Sequence, residues 1–400
     1  MSQKRPTPSG LPAGVEGFGA AEQALHQAAS AAAGGLDDFG DPSYLEGLRV
    51  LLDAYQHEAK FSNTGRQMAW QGLVQPLRAR LRSQHLIRQN PSVLETEIHR
   101  PLVVTGLVRT GSTALHHLLG QDPDIQVLEY WLSVNPQPRP PRDEWEVHPD
   151  YQACVAELEA MYAADPSLKA IHFMSADGPE ECRHFLSQGF TDDAFEVNAS
   201  VPTYTQWYEA KNIRDTYLRH RDLLKLVGST SPEKRWILKY PVHMKNLGAL
   251  FEVYPDACIV QTHRDPTKVM SSYVSLIAGF RALFEEDIDR EAIAREQLEV
   301  WATGAEHAIE VRRRGDESSF FDLHFQEFMG DPVGSVKRFY ERFDLELSEE
   351  GEKRLRAWQQ GNPQGKHGRH EHSFDEAGIS RGEVLERFAA YMDYFDLKPE

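Results

Sequence analysis

The sequence predicts an α/β fold, in which a buried parallel sheet is flanked by helices. Four short apolar runs, typical of buried strands, stand at residues 101–105, 235–239, 257–262 and 319–324. Three of these runs are followed within a few residues by a helical pattern. This alternation is expected of parallel strands, because a crossover must join each strand to the next. The sequence therefore indicates βα units arranged around one sheet.

Several helix starts follow from this reading. Helices are expected to begin at Gly111, Pro241, Pro266 and Pro332. Proline is well tolerated in the first turn of a helix, because its missing N–H would have no partner there. A last helix is expected at about residues 381–396.

Helical patterns also precede the first predicted strand. Apolar residues recur at helical spacing within residues 20–33, 44–55 and 68–86. We therefore expect residues 1–98 to form an N-terminal helical region packed on the core. Residues 99–400 are expected to form the main α/β domain.

The middle of the chain is less regular. A turn-rich segment with four prolines spans residues 135–142, and helical patterns then surround residues 173–182 and 204–226. We interpret residues 135–230 as a helical insertion that covers the ligand edge of the sheet.

Composition excludes several classes of protein. The chain has 400 residues and a formal net charge of −18, with 61 acidic and 43 basic side chains. This balance argues against a nucleic-acid-binding surface, which depends on basic patches. The 3 cysteines form no CxxC motif, and no signal peptide or integral membrane segment is recognisable. We expect a cytoplasmic protein.

The first predicted strand leads into a phosphate-binding loop. Residues 105–113 read Thr-Gly-Leu-Val-Arg-Thr-Gly-Ser-Thr, and the spacing of Gly106 and Gly111 is that of a P-loop. Such a turn directs backbone N–H groups and a helix N-terminus toward one point. A P-loop has a lysine after the second glycine, whereas this loop carries its cation inside, as Arg109. The expected fold is thus a P-loop-type sheet without the lysine that reaches the β- and γ-phosphates.

Two further cations stand at predicted strand ends. Arg264 follows the third strand, and Ser272, eight residues later in the next helix, could lie near the same strand end. Lys239 ends the second strand, where a buried lysine is costly unless it meets an anion. The alternatives are an Arg264–Asp265 pair that caps a helix and a lysine that extends into solvent. Three cations at three strand ends favour one shared anionic ligand.

These motifs together resemble the sulfotransferases that use 3′-phosphoadenosine 5′-phosphosulfate (PAPS), particularly the bacterial group allied to the tyrosylprotein sulfotransferases. The loop at 105–113 is similar to their 5′-phosphosulfate loop in its arginine form. Residues 238–241, Leu-Lys-Tyr-Pro, resemble their lysine strand, and residues 262–266 with Ser272 resemble their 3′-phosphate motif. Residues 366–369, Lys-His-Gly-Arg, resemble their C-terminal basic loop.

The resemblance implies a sulfuryl transfer from PAPS that requires no metal. Arg109 and Lys239 would contact the phosphosulfate, with Lys239 near the bridging oxygen. The other implied donor-binding residues are Thr110, Gly111, Ser112 and Thr113 in the loop, Arg264 and Ser272 at the 3′-phosphate, and Lys366, His367, Gly368 and Arg369 in the basic loop.

The acceptor must lose a proton, so a general base is required. The resemblance favours Glu129, because the tyrosylprotein enzymes have a carboxylate base at about this distance after the loop arginine. His243 is the alternative, since cytosolic sulfotransferases have a histidine base close behind the lysine, although two positions nearer than here. Either residue could instead be structural, as a salt-bridged carboxylate or as a packed histidine.

Other functions and the acceptor stay open. A P-loop kinase would need a lysine after Gly111 and a metal-binding aspartate at a strand end, and we find neither in place. A non-catalytic nucleotide-binding module is the other alternative. We expect a small or lipid-like hydroxyl acceptor rather than an amine, and an oligomer is possible. His367, His370 and His372 lie among cations and glycines, which suits anion binding better than metal binding.

Overall fold

The computed structural model of the protein describes residues 10–166, 169, 173–362 and 378–399. Five parallel strands form the sheet: β1 (Leu102–Gly106), β2 (Ile125–Gln126), β3 (Arg235–Lys239), β4 (Cys258–His263) and β5 (Phe320–His324). Their order across the sheet is β2-β3-β1-β4-β5. The predicted α/β class, with a parallel sheet flanked by helices, is confirmed. The short strand β2 was not predicted, because two residues carry no readable pattern.

The described α-helices surround this sheet and are numbered in chain order. They are Glu22–Ala32 (α1), Tyr44–His57 (α2), Asn63–Gln89 (α3), Ser112–Leu119 (α4), Tyr130–Val134 (α5), Pro149–Ala164 (α6), Arg183–Leu186 (α7), Ala194–Asn198 (α8), Pro202–Glu209 (α9), Arg214–Gly228 (α10), Leu247–Val253 (α11), Pro266–Phe284 (α12), Arg290–Arg314 (α13), Phe325–Gly330 (α14), Pro332–Arg342 (α15), Glu349–Gly361 (α16), Arg381–Arg387 (α17) and Ala389–Tyr394 (α18). Short 3₁₀ turns span Phe18–Ala20, Pro91–Glu95, Arg142–Val147, Ser187–Gly189, Pro241–Met244 and Glu317–Ser319.

Apolar side chains cover both faces of the sheet. On β1, Val103 belongs to a large hydrophobic cluster that also contains side chains of α1, α2 and α3. Its neighbours Leu102 and Val104 belong to a second cluster with side chains of α4 and α15. Successive side chains of a strand point to opposite faces, so a five-residue apolar run serves two cores at once.

Four predicted helices differ from the observed structure. The helix expected to begin at Pro241 is a 3₁₀ turn, Pro241–Met244, and α11 begins only at Leu247. Residues 173–182 are not helical, because Gly178 and Pro179 interrupt the pattern and the segment pairs with residues 128–130 instead. Residues 204–226 form two helices rather than one. The last predicted helix, at 381–396, is divided between α17 and α18.

The N-terminal region approaches the core closely at one glycine. Gly65 lies in the first turn of α3, where its N–H donates to the hydroxyl of the N-cap residue Ser62 at 2.9 Å. A Cβ at this position would lie 1.7 Å from the carbonyl oxygen of Phe284, the last residue of α12. The contact between α3 and the core helix α12 therefore depends on the missing side chain.

We expect Gly65→Ala to destabilise the protein, because the added methyl group must push α3 away from α12. Overpacking of this kind costs about 1–3 kcal/mol. Gly72→Ala on the same helix is the matched control, since nothing lies within 4 Å of its Cβ position. Replacing an exposed helical glycine with alanine stabilises by about 0.5–1 kcal/mol. Denaturant unfolding measures both changes, and equal effects from the two variants would contradict the close contact.

Candidate functional site

The loop between β1 and α4 is fixed against the neighbouring strand. Gly106 has a φ of 134°, and a Cβ there would lie 2.3 Å from the carbonyl oxygen of Thr262 on β4. The hydroxyl of Thr110 donates to the carbonyl of Leu107 at 2.7 Å and lies 2.6 Å from the Thr262 hydroxyl. Gly111, with a φ of 86°, is the N-cap of α4. Thr110 is buried, so its side chain supports the loop from behind.

Arg109 projects from this loop and is exposed at the surface. Its φ of 62° lies in the left-handed region, which is uncommon for a residue with a side chain. The Nε atom donates to Ser272 Oγ on α12 at 3.2 Å. The side chain is exposed, yet surrounding protein desolvates it, and this desolvation, together with the charge of Arg264, lowers the pKa of Arg109.

Arg264 lies beside Arg109, as the sequence predicts for two anion-binding residues. One Nη atom of Arg264 donates to the backbone carbonyl of Arg109 at 3.3 Å. Its guanidinium lies over the ring of Phe325, 4.1 Å from the ring centroid. The buried Ser272 joins the same group through Arg109. The positive charges of Arg109 and Arg264 repel each other, so an anion between them would relieve an unfavourable interaction.

Lys239 lies at the carboxyl end of β3, directly beside β1. It pairs in register with Val104, and only 2% of its surface is exposed. Its Nζ atom donates to the Thr113 hydroxyl at 3.1 Å and forms an ion pair with Glu181. Thr113 itself is exposed, in the first turn of α4. The lysine is thus directed toward the loop helix and not out into solvent.

Glu181 reaches Lys239 because an extended segment, residues 176–182, enters the sheet edge. The pairing of β2 with β3 ends at Gln126 and Trp236. Beyond that point, the N–H of Glu180 donates to the carbonyl of Leu128 at 2.7 Å, and the N–H of Cys182 donates to the carbonyl of Lys239 at 3.0 Å. The segment therefore hydrogen-bonds to both sides and separates the residues after β2 from the end of β3.

Glu129 lies on the far side of that segment. Its carboxylate accepts from Arg139 Nε at 3.2 Å, and an Arg139 Nη atom lies 3.1 Å from the same oxygen. Arg139 also donates to the carbonyl of Val127 at 2.6 Å and to the side chain of Gln126 at 2.8 Å. Burial raises the pKa of Glu129, and the neighbouring Arg139 opposes this rise. The ion pair binds Glu129 to the edge strand.

His243 is completely buried behind the end of β3. Its Nδ1 atom lies 2.7 Å from the hydroxyl of Tyr217 on α10, and the ring packs 6.1 Å from that of His220. Burial, reinforced by the nearby positive charges, holds the pKa of His243 well below its usual range. The side chain is buried and contacts Tyr217, which corresponds to the packed histidine considered from the sequence.

A buried polar network that sequence reasoning missed supports the end of β3. Tyr240 directly follows Lys239, and its hydroxyl lies 2.7 Å from a carboxylate oxygen of Asp192 and 2.9 Å from one of Asp193. Lys245 Nζ lies 3.5 Å from Asp193. Burial, and then the charge of Asp193, raises the pKa of Asp192 well above its usual value. An adjacent acidic pair within the covering insertion is the only signal that the sequence offers for this network.

Some predicted residues lie outside the described part of the chain. These are the four residues of the basic loop, Lys366, His367, Gly368 and Arg369, together with His370 and His372. Within the described residues, no group of three or more His, Cys, Asp or Glu side chains could hold a metal ion. None of the helices in the described part of the chain combines the length and the apolar character that a membrane span needs.

Comparisons with known proteins identify the family of the chain. Residues 101–349 match the model of the sulfotransferase family. The solved structure of the sulfotransferase STF1 from Mycobacterium tuberculosis H37Rv is 38% identical and has a TM-score of 0.86, with 92% of this chain and 98% of that chain covered. The sulfotransferase STF9 from Mycobacterium avium is 28% identical, with a TM-score of 0.88 and coverage of 95% and 97%.

Curated relatives give a more distant match. The omega-hydroxy-beta-dihydromenaquinone-9 sulfotransferases Stf3 from Mycobacterium bovis and Mycobacterium tuberculosis are each 26% identical over 255 residues, which is 61% of this chain. The match spans 63% of the length of these relatives. The resemblance recognised from the sequence motifs is confirmed: the chain belongs to the sulfotransferase family.

Proposed function

We propose that the protein transfers the sulfuryl group of PAPS to a hydroxyl group. The observation that carries this proposal is the convergence of Arg109, Arg264 and Lys239 at the carboxyl ends of three adjacent parallel strands. Ligands of open α/β sheets bind at this edge. The loop lacks the lysine that would reach a nucleoside triphosphate, so the cations suit a donor with one 5′ and one 3′ anionic group.

The two ends of the site take different parts of the donor. Arg264 and Ser272 bind the 3′-phosphate, because a guanidinium with a nearby hydroxyl binds phosphate through several hydrogen bonds. Arg109 projects from the loop, contacts Ser272 and reaches the phosphosulfate. The backbone N–H groups of Gly111 and Ser112, with the Thr113 hydroxyl, complete the cradle at the helix N-terminus. The basic loop, residues 366–369, is proposed to cover the 3′-phosphate.

The reaction needs positioning and charge stabilisation more than covalent work by the protein. The acceptor oxygen attacks sulfur in line with the bridging oxygen, the S–O bond to the 5′-phosphate breaks, and its electron pair stays with adenosine 3′,5′-bisphosphate. Lys239 stabilises the negative charge that builds on the bridging oxygen. A carboxylate takes the proton of the acceptor hydroxyl.

The surroundings of Glu129, the base expected from the sequence, favour a structural role. Its carboxylate is bound to Arg139, and residues 176–182 separate it from Lys239. The burial of His243 favours a structural role as well. Both assignments stay predictions, and the variant Glu129→Gln tests the first.

We propose a lipid-like alcohol as the acceptor. The relatives Stf3 are named for a hydroxylated menaquinone derivative, which is such an alcohol. Incubation of the protein with PAPS and a prenyl alcohol such as farnesol, a phenol and a primary amine, followed by mass spectrometry, tests this class. Sulfation of the prenyl alcohol supports it, whereas sulfation of the amine alone contradicts it.

We expect Arg264→Ala to weaken the binding of adenosine 3′,5′-bisphosphate about 10- to 100-fold, because a hydrogen bond to a charged group contributes about 1.5–3 kcal/mol. Binding of adenosine 5′-phosphate, which has no 3′-phosphate, should hardly change. Isothermal titration calorimetry measures both. The control is Arg338→Ala, which removes an arginine that pairs with Glu327 on a different helix. Equal loss for both nucleotides would contradict the assignment of Arg264.

We expect Lys239→Met to reduce the single-turnover rate of PAPS conversion about 10²- to 10³-fold, which is the usual cost of removing one donor that stabilises transition-state charge. Methionine keeps most of the apolar stem and loses the ammonium. Rapid-quench measurement of adenosine 3′,5′-bisphosphate formation gives the rate. The control is Lys353→Ala, which removes an exposed lysine on α16. A Lys239→Met rate close to that of the unmodified protein would contradict the role of Lys239.

A further inference from the structure

We propose that Glu181 accepts the proton of the acceptor hydroxyl, and that binding of the donor releases it for this role by taking its place on Lys239. This inference rests on the proposed function and assigns the base within it. It concerns a carboxylate that no motif identified and that the structure brings directly to the catalytic lysine.

The first observation is the arrangement around the Lys239 ammonium. Lys239 donates to the Thr113 hydroxyl and forms an ion pair with Glu181. The lysine side chain is 3% exposed, and the glutamate side chain is 18% exposed. Glu181 is therefore the solvent-facing member of the pair. An anion that contacts Lys239 from solvent would meet Glu181 or the exposed Thr113.

The second observation is the way the backbone holds Glu181. The N–H of Glu180 donates to Leu128, and the N–H of Cys182 donates to the carbonyl of Lys239. The N–H of Glu181 itself donates to the carboxylate of Glu180 at 2.9 Å. The backbone on both sides of Glu181 is thus fixed to strand ends. Its side chain can leave Lys239 while the residue stays at the site, which a base on a mobile loop could not do.

The third observation is the contrast with Glu129. Glu129 is held by Arg139, and Arg139 is only 12% exposed at its side chain. Moving Glu129 toward an acceptor would leave a buried guanidinium without its counter-ion, which is strongly destabilising. Moving Glu181 away from Lys239 does not leave the lysine without a counter-ion once the donor is bound, because the phosphosulfate supplies a new negative partner.

The proton balance follows from this exchange. Without donor, the charges of Lys239 and Glu181 neutralise each other. With donor bound, Lys239 turns to the bridging oxygen, and the Glu181 carboxylate lies beside the reacting group. As the acceptor oxygen bonds to sulfur, its proton passes to Glu181, and the leaving electron pair goes to the 5′-phosphate next to Lys239. Donor binding therefore both activates the electrophile and uncovers the base.

The exchange also predicts an affinity effect that a structural ion pair would not produce. If Glu181 competes with the donor for Lys239, neutralising Glu181 should strengthen the binding of adenosine 3′,5′-bisphosphate. The size of this effect depends on how much more tightly the nucleotide binds when Glu181 is away from Lys239 than when the two are paired. We expect Glu181→Gln to bind adenosine 3′,5′-bisphosphate about 10-fold more tightly than the unmodified protein in calorimetry. The rate of PAPS conversion should fall about 10²-fold or more, the usual contribution of a general base.

Two other variants sharpen the test. Glu129→Gln removes the carboxylate on the other side of the segment, and its rate should fall less than that of Glu181→Gln. Glu159→Gln, on the exposed face of α6, controls for the loss of one acidic charge and should change neither quantity. Thermal unfolding reports whether each variant is folded. If Glu181→Gln does not fold, Glu181→Asp replaces it. The shorter side chain brings its carboxylate less close to Lys239, so tighter binding with slower conversion is again expected.

Two results would overturn the inference. One is unchanged or weaker binding of adenosine 3′,5′-bisphosphate to folded Glu181→Gln, because Glu181 would then not compete with the donor. The other is a larger rate loss in Glu129→Gln than in Glu181→Gln, which would assign the base to Glu129. Both differ from a failure of the proposed function itself, in which the unmodified protein would bind no adenosine 3′,5′-bisphosphate.

Discussion

The parallel register of β3, β1 and β4 is the constraint on which the site depends. Because the three strands run in the same direction, their carboxyl ends lie at one edge, and the cations that follow them meet there. Gly106 permits the close approach of β1 and β4, and the Thr110–Thr262 contact fixes the loop to the neighbouring strand. Arg109 can then project between Ser272 and Arg264. Hydrophobic packing on both faces of the sheet maintains this register.

Placing several positive charges at one edge of the sheet raises the free energy of the folded protein, and local contacts offset this cost. Lys239 is buried, and without an anion its charge would be expensive. In this structure Glu181 supplies the counter-charge. Arg109 and Arg264 meet this cost differently: they lie near the surface, one against Ser272 and the other over the ring of Phe325. The protein is acidic overall, with a formal net charge of −18, so these cations stand against the mean charge of the chain.

Much of the fold, and the position of the candidate cations at neighbouring strand ends, could be predicted from the sequence, because both depend on local patterns. Apolar runs gave four of the five strands within one residue at each end, and the glycine spacing gave the loop. The proposed proton acceptor, Glu181, could not be found in this way. Glu181 reaches Lys239 through a segment of the insertion that was predicted to be helical, and its pairing with residues 128–130 is a tertiary contact without a sequence signal. The same insertion separates Glu129 from Lys239, which spacing along the chain cannot reveal.

We infer that this edge of the sheet binds a nucleotide with a 3′-phosphate and no γ-phosphate. A thermal-shift titration with adenosine 3′,5′-bisphosphate, ADP and ATP, each with and without magnesium, tests it most directly, since a ligand that binds the native state raises its stability. We expect an upward shift in the unfolding temperature with adenosine 3′,5′-bisphosphate that does not depend on magnesium and exceeds the shift with ADP. A shift with ATP and magnesium alone would contradict it and would favour a kinase.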